Sequence, residues 1–174
     1  MPMRSKKALL IIDMLNDFVL KGAPLEVPSA RGIIPRIKEE IEKARKEKIP
    51  IFYICDAHKK DDPEFKVWPP HAIQGTKGQE VIEELKPQKN DFIIFKTTYS
   101  GFYKTNLEKL LRKLKIEELI ITGILTNICV LYTAVDALMR GFKVEIPEGT
   151  VAGLNPDDEK FALRQIKEIL KPRR

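Results

Sequence analysis

Residues 119–138 read LIITGILTNICVLYTAVDAL, and the break in the middle of this stretch decides how the chain is built. The run at 119–122 is short and apolar, as a buried strand is, and Gly123 opens a turn. From about Cys129 onward, apolar residues return at Val130, Ala134, Ala137 and Leu138, the spacing of one helix face. A buried strand that feeds a helix is the building unit of a parallel sheet covered by helices.

The same alternation extends in both directions. Apolar runs at 8–12 (ALLII), 51–55 (IFYIC) and 92–95 (FIIF), with a weaker one at 142–146 (FKVEI), predict further strands. Between them lie helical patterns: Ile33, Ile37 and Ile41; Val81, Ile82 and Leu85; Leu107, Leu110, Leu111 and Leu114; and Phe161, Ile166, Ile169 and Leu170. The expected architecture is a three-layer α/β/α, Rossmann-like domain with a mainly parallel sheet of five to six strands and right-handed crossovers. The 174 residues have the length of one such domain, with no internal repeat or low-complexity linker, so residues 1–174 are read as a single unit.

Composition narrows the class of partner. A net charge of +6 arises from 31 basic and 25 acidic residues, but the signs interleave along KEEIEKARKEK and LEKLLRKLKIEEL, as on solvated helix faces. No nucleic-acid partner is expected. No apolar run approaches the roughly 20 residues that span a bilayer, so no membrane partner is expected either. At the N-terminus the basic residues precede an apolar stretch too short for a signal-peptide core, and the stretch reads as the first strand. Cys55 and Cys129 make neither a disulfide framework nor a zinc site of four cysteines, which points to a reducing, cytoplasmic setting.

In parallel sheets ligands sit beyond the carboxyl ends of the strands. Asp13, Asp56, Lys96 and the segment 123–129 fall at those ends. Cys129, at a strand-to-helix turn, meets unpaired N–H groups that favour a thiolate and can hold a developing oxyanion. Taken alone it is read first as a buried filler, which is how Cys55, inside an apolar strand, is read. Asp13 directly follows a buried strand and needs a partner; the alternative role, a helix cap, can be filled by Asn16 or Asp17. Lys96 is either a surface lysine or a cation that lowers the pKa of a nearby thiol.

Both histidines of the chain fall in Asp56-Ala-His58 … Glu64 … Trp68-Pro-Pro-His71. Asp56 and His58, two apart in an extended run, project to one side, and the Pro-rich stretch 57–78 can bring Glu64 and His71 to the same ion. Mixed nitrogen and oxygen donors suit one divalent transition metal, zinc first, with iron or manganese as alternatives. A surface loop with solvated histidines is the competing reading.

The pieces IIDMLNDF, DAH, VWPPH, FKTTYSGF, GILTNICV and TAVDALMRGF, in this order over about residues 7–163, resemble the isochorismatase-like cysteine hydrolases, and among them the nicotinamidases and pyrazinamidases. The resemblance implies that Cys129 is the nucleophile, Asp13 accepts its proton and Lys96 supports the pair. It also implies an oxyanion hole from the backbone N–H groups of Leu125 and Cys129, with a cis peptide between Ile124 and Leu125. Asp56, His58 and His71 match metal ligands, Glu64 matches a carboxylate ligand of some nicotinamidases, and Phe18 and Trp68 match aromatic walls of the substrate pocket.

The activity implied is hydrolysis of nicotinamide to nicotinate and ammonia through a Cys129 thioester, with a small amide as partner and assembly into a homo-oligomer. The alternatives are a relative acting on another small amide or an N-carbamoyl compound, and a non-catalytic member of the fold. Many relatives continue beyond the last helix into a further strand, which this sequence lacks, so a sheet one strand short is a further expectation.

Overall fold

The computed structural model describes residues 6–171. The chain alternates strands β1 (Lys7–Ile12), β2 (Ile51–Asp56), β3 (Phe92–Lys96), β4 (Glu118–Ile124), β5 (Lys143–Glu145) and β6 (Val151–Ala152) with helices. These are the short α1 (Asn16–Val19), then α2 (Ala30–Lys46), α3 (Leu107–Lys113), α4 (Leu131–Met139) and α5 (Pro156–Arg164). All strand pairs are parallel, in the order β3-β2-β1-β4-β5. β5 pairs with the start of β4 and β6 with its end, so the two short strands share one edge and the sheet has six strands. Six strands fall within the five to six expected.

Alternation within the strands builds the three layers. Leu9, Ile11, Tyr53 and Cys55 face one side and pack with Ile33, Ile37 and Ala44 of α2. Leu10, Ile12, Phe52 and Ile54 face the other, with Leu107 and Leu111 of α3 and Ala134 and Ala137 of α4. Central strands buried on both faces explain why their sequences read as unbroken apolar runs. Among the described residues, no helix is long and apolar enough to cross a membrane.

Three local expectations need correction. Gly123 does not end the fourth strand: β4 runs through it to Ile124, with Gly123 at φ +110°. A Cβ there would lie 2.1 Å from the Ile12 carbonyl oxygen, so the glycine is demanded by the close approach of β1 and not by a turn. Val81, Ile82 and Leu85 form no helix; only a 3₁₀ turn at Glu83–Leu85 is present, because Pro87 follows within two residues. Phe161 and Ile169 point outward, and Ala162 and Ile166, four apart, make the buried stripe instead. That last helix starts on strong signals: Asn155 Oδ1 accepts from the N–H of Asp157, Pro156 takes the first position, and three acidic residues fill the first turn.

Candidate active site

The strand register brings the first three residues together. Ile12 of β1 lies opposite Ile54 of β2 and Gly123 of β4, and Asp56 of β2 opposite Lys96 of β3. Asp13, the residue after β1, thus emerges between Asp56 and the turn that leads to Cys129. It is buried, adopts φ +53°, and its Oδ1 accepts the Asp56 backbone N–H at 2.9 Å. A carboxylate locked in this way is no helix cap. Lys96 Nζ, also buried, lies 2.9 Å from Asp13 Oδ2 and 3.6 Å from Cys129 Sγ, and donates a short hydrogen bond to Asp56 Oδ1.

Cys129 sits in a π-helical turn, Thr126–Val130, ahead of α4. The peptide bond between Ile124 and Leu125 is cis, as the resemblance implied. The Leu125 carbonyl accepts from the N–H groups of Ile128 and Val130, both at 3.1 Å, so the turn folds back on the residue that opens it.

The electrostatics of this cluster differ from expectation in one respect. Burial raises the Cys129 thiol well above its ordinary range; Lys96 works against this, but the Asp13 and Asp56 charges add to burial and prevail. Lys96 therefore lowers the thiol without offsetting the other contributions. Burial and the neighbouring Asp56 charge lift Asp13 to about 6, although Lys96 opposes both. Burial disfavours the Lys96 ammonium, yet Asp13 and Asp56 more than offset it and keep the amine charged. The Asp13 carboxyl, lifted to about 6, thus faces a thiol raised above its ordinary range. A base of this pKa is matched to taking a proton at neutral pH. Cys55, by contrast, is buried inside β2 and its thiol is pushed up mainly by that burial, which leaves it inert.

The second cluster stands directly beside the first. Asp56 Oδ2 lies 3.6 Å from His58 Nε2 and 3.8 Å from His71 Nε2, while Glu64 Oε2 is 3.6 Å from His58 Nε2. Asp56, His58 and His71 each offer a donor atom to one common point, and Glu64 joins through His58 alone. The outer ring nitrogens are occupied: His58 Nδ1 contacts Asp62 Oδ2 at 3.0 Å, and His71 Nδ1 donates to the Pro69 carbonyl at 2.7 Å. His58 Nε2 is fully buried and has no hydrogen-bond partner among the described residues. A buried, unpartnered imidazole nitrogen aimed at a carboxylate and a second imidazole fits a divalent transition metal. Burial disfavours a charged His58, but Asp56, Asp62 and Glu64 outweigh it and raise the ring to about 9.

Both clusters open into one cavity of about 260 Å³. Asp13 and Cys129 line it on one side and Asp56, Glu64 and His71 on another, with Phe18, Trp68, Tyr99 and Leu125 as walls. Phe18 also packs against the His71 ring, with centroids 5.4 Å apart. Every site residue expected from sequence therefore reaches one region. Other contributors were not legible. Asp62 orients His58, Pro24–Val27 contribute lining from the α1–α2 connection, and Leu154 adds to it from beyond β6. Asp62 stood four residues from His58 and was the one with a readable signal. Pro24 and Leu154 are brought in only by tertiary packing.

Fold and site together define a class: a parallel α/β domain with a cysteine, aspartate and lysine cluster at the carboxyl ends of its strands. Residues 7–172 match the isochorismatase domain. A pyrazinamidase of Pyrococcus horikoshii in complex with zinc is 34% identical, with a TM-score of 0.89 over 96% of this chain and 97% of that one. Nicotinamidase from Bacillus subtilis is 38% identical, with a TM-score of 0.88 over 94% and 95%. N-carbamoylsarcosine amidase from Thermoplasma acidophilum is 35% identical, with a TM-score of 0.86 over 96% of both chains. The chain belongs to the isochorismatase family, whose members include amide hydrolases.

Proposed function

We propose that the protein is a metal-dependent nicotinamidase, hydrolysing the amide of a small uncharged heteroaromatic ring to the carboxylate and ammonia. The observation that carries this reading is that the thiol and the metal-ligand cluster open into one cavity and share Asp56. Its Oδ1 meets Lys96 and its Oδ2 faces His58 and His71.

In the first half-reaction Cys129 Sγ attacks the amide carbon while Asp13 takes the thiol proton. Leu125 and Cys129 N–H groups stabilise the developing oxyanion. The C–N bond then breaks, Asp13 returns the proton to the nitrogen, ammonia leaves and a thioester remains. In the second half-reaction Asp13 takes a proton from water as its oxygen attacks the thioester carbon. The C–S bond breaks, the acid leaves, and the proton returns to Cys129. Lys96 keeps its charge throughout and balances Asp13 and Asp56. Asp56, His58 and His71, with Glu64 adjoining, would hold the zinc, iron or manganese ion. When bound, such an ion supplies a Lewis acid for a ring nitrogen of the substrate.

The choice of substrate rests on the charges of the walls. Among the described residues no lysine or arginine lines the cavity, and the charged residues that do, Asp13, Glu26, Asp56 and Glu64, are all acidic. A neutral ring can meet the aromatic lining residues Phe18 and Trp68, whereas N-carbamoyl amino acids bring a carboxylate that no lysine or arginine of the described lining would pair with. The N-carbamoyl reading is the second hypothesis, supported by the likeness to N-carbamoylsarcosine amidase. A reducing cytoplasm would keep Cys129 active. Exposed Ile93 and Phe95 on the edge strand β3 favour a homo-oligomer.

Ammonia release from nicotinamide, pyrazinamide and N-carbamoylsarcosine by zinc-loaded protein, chelated protein and Cys129→Ala tests the reading. Turnover of the two ring amides, lost in the chelated and substituted samples, is expected. Preference for N-carbamoylsarcosine would overturn the substrate, and no turnover of any amide would favour a non-catalytic protein.

A further inference from the structure

The motifs FKTTYSGF and TAVDALMRGF contribute a second polar cluster that the chemistry above does not use. Ser100 Oγ, in a residue only 8% exposed, donates a short hydrogen bond to Asp136 Oδ2 on α4. Asp136 Oδ1 is held by Arg140 Nη1 at 2.9 Å, and Arg140 Nε reaches Glu108 Oε2 at 2.9 Å. A second tie runs parallel: the Gly101 N–H donates to Thr133 Oγ1 at 3.0 Å, again on α4. A Cβ on Gly101 would meet Ile54 Cγ2 at 2.9 Å, so this segment lies tight against the sheet.

What the tie positions follows from its neighbours. Lys96 needs no help, since it pairs with Asp56 in the ladder and with two carboxylates through Nζ. Tyr99 lies three residues past the end of β3, where no strand pairing holds it. Its hydroxyl accepts from Trp68 Nε1 at 3.4 Å, and both rings wall the cavity. Trp68 itself stands on the long irregular stretch between β2 and β3, in a surface turn. We propose that Ser100 and Asp136 are substrate-positioning residues. They anchor Tyr99 to the helix that follows Cys129, and through Tyr99 they set the place of Trp68 in the cavity wall. The inference rests on the cavity being the substrate site, not on which amide enters it.

Trp68 is the only tryptophan in the chain, so its fluorescence reports this wall directly. Ser100→Ala and Asp136→Ala are expected to raise acrylamide quenching of Trp68 about twofold through local opening. In the zinc-loaded protein each should raise KM for nicotinamide about fivefold with kcat retained, the loss of about one hydrogen bond from binding. Asp136→Asn separates positioning from stability. It loses the Arg140 ion pair but keeps an acceptor for Ser100, so it should lower Tm while leaving quenching and KM as in the wild type.

Should Ser100→Ala fail to fold, Tyr99→Phe, in a residue 38% exposed, removes the acceptor for Trp68 and should raise both quenching and KM, with Tm little changed. Unchanged quenching in Ser100→Ala or in Tyr99→Phe would overturn the inference, as would equal effects of Asp136→Asn and Asp136→Ala. Absent turnover of nicotinamide, with the quenching pattern as expected, would remove the substrate reading alone.

Discussion

The two halves of the site are held by different kinds of structure. Asp13 and Lys96 are fixed by parallel strands whose register leaves no freedom, and Cys129 by a turn that leaves the central strand β4. His58, Glu64 and His71 stand on the stretch 57–78, which is held by a 3₁₀ turn at Pro63–Lys66, an isolated bridge between His58 and Ile73 and scattered hydrogen bonds. Examples are the Ala72 N–H on Asp17 Oδ2 at 2.9 Å and the His58 N–H on the Ala72 carbonyl at 2.9 Å. The difference teaches that the reacting groups are preorganised by the fold, whereas the cation-binding side depends on a loop that an ion would help to order. Asp56 belongs to both halves and is the one ligand placed by a strand.

The sharpest break of this comparison is Cys129→Ala. It should lower ammonia release by about four orders of magnitude or more, with thermal unfolding little changed, because it removes the nucleophile but no packing framework. Lys96→Met should act on the fold itself. It leaves Asp13 and Asp56 buried without their cation and should cost about 3–5 kcal/mol in urea unfolding. An Asp62→Asn substitution in the loop half should lower zinc affinity about 10- to 100-fold in a competition titration, with the fold retained, since it frees the outer nitrogen of His58.

The smallest effect comes from pH and sharpens the contrast between activity and stability. Asp13 must be ionised to accept the thiol proton, so kcat/KM should rise about tenfold per pH unit below its pKa of about 6 and level off above it. Stability moves the other way. With its folded pKa raised above an ordinary aspartate's 3.8, Asp13 contributes stability that is fully present below that value and is lost as pH rises through about 6. An acid limb that persists unchanged in Asp13→Asn would remove Asp13 from the role of base.

Much of the strand-held half was legible because burial writes itself into sequence. Apolar runs located the strands, and a charged or reactive residue directly after each run, as at Asp13 and Lys96, had to find a partner. The loop half was legible only as a coincidence of ligand types, His58 and His71 near Asp56 and Glu64. Gly123 was misread as a turn because sequence shows the absence of a side chain but not the Ile12 carbonyl that requires it. The raised Cys129 pKa was likewise hidden: proximity of a lysine could be guessed, whereas the opposing sum of burial and two carboxylates could not.

By itself the sequence determined the layers of the fold, the residues that can do chemistry and the order in which the strands present them. These follow from local hydropathy and residue type. Only the tertiary structure decided that Asp56 serves both clusters, that Asp62 orients His58, and that Ser100 meets Asp136 across 36 residues. Such contacts are set by strand register and helix packing, which bring distant side chains within hydrogen-bond reach and leave no periodic trace in the chain.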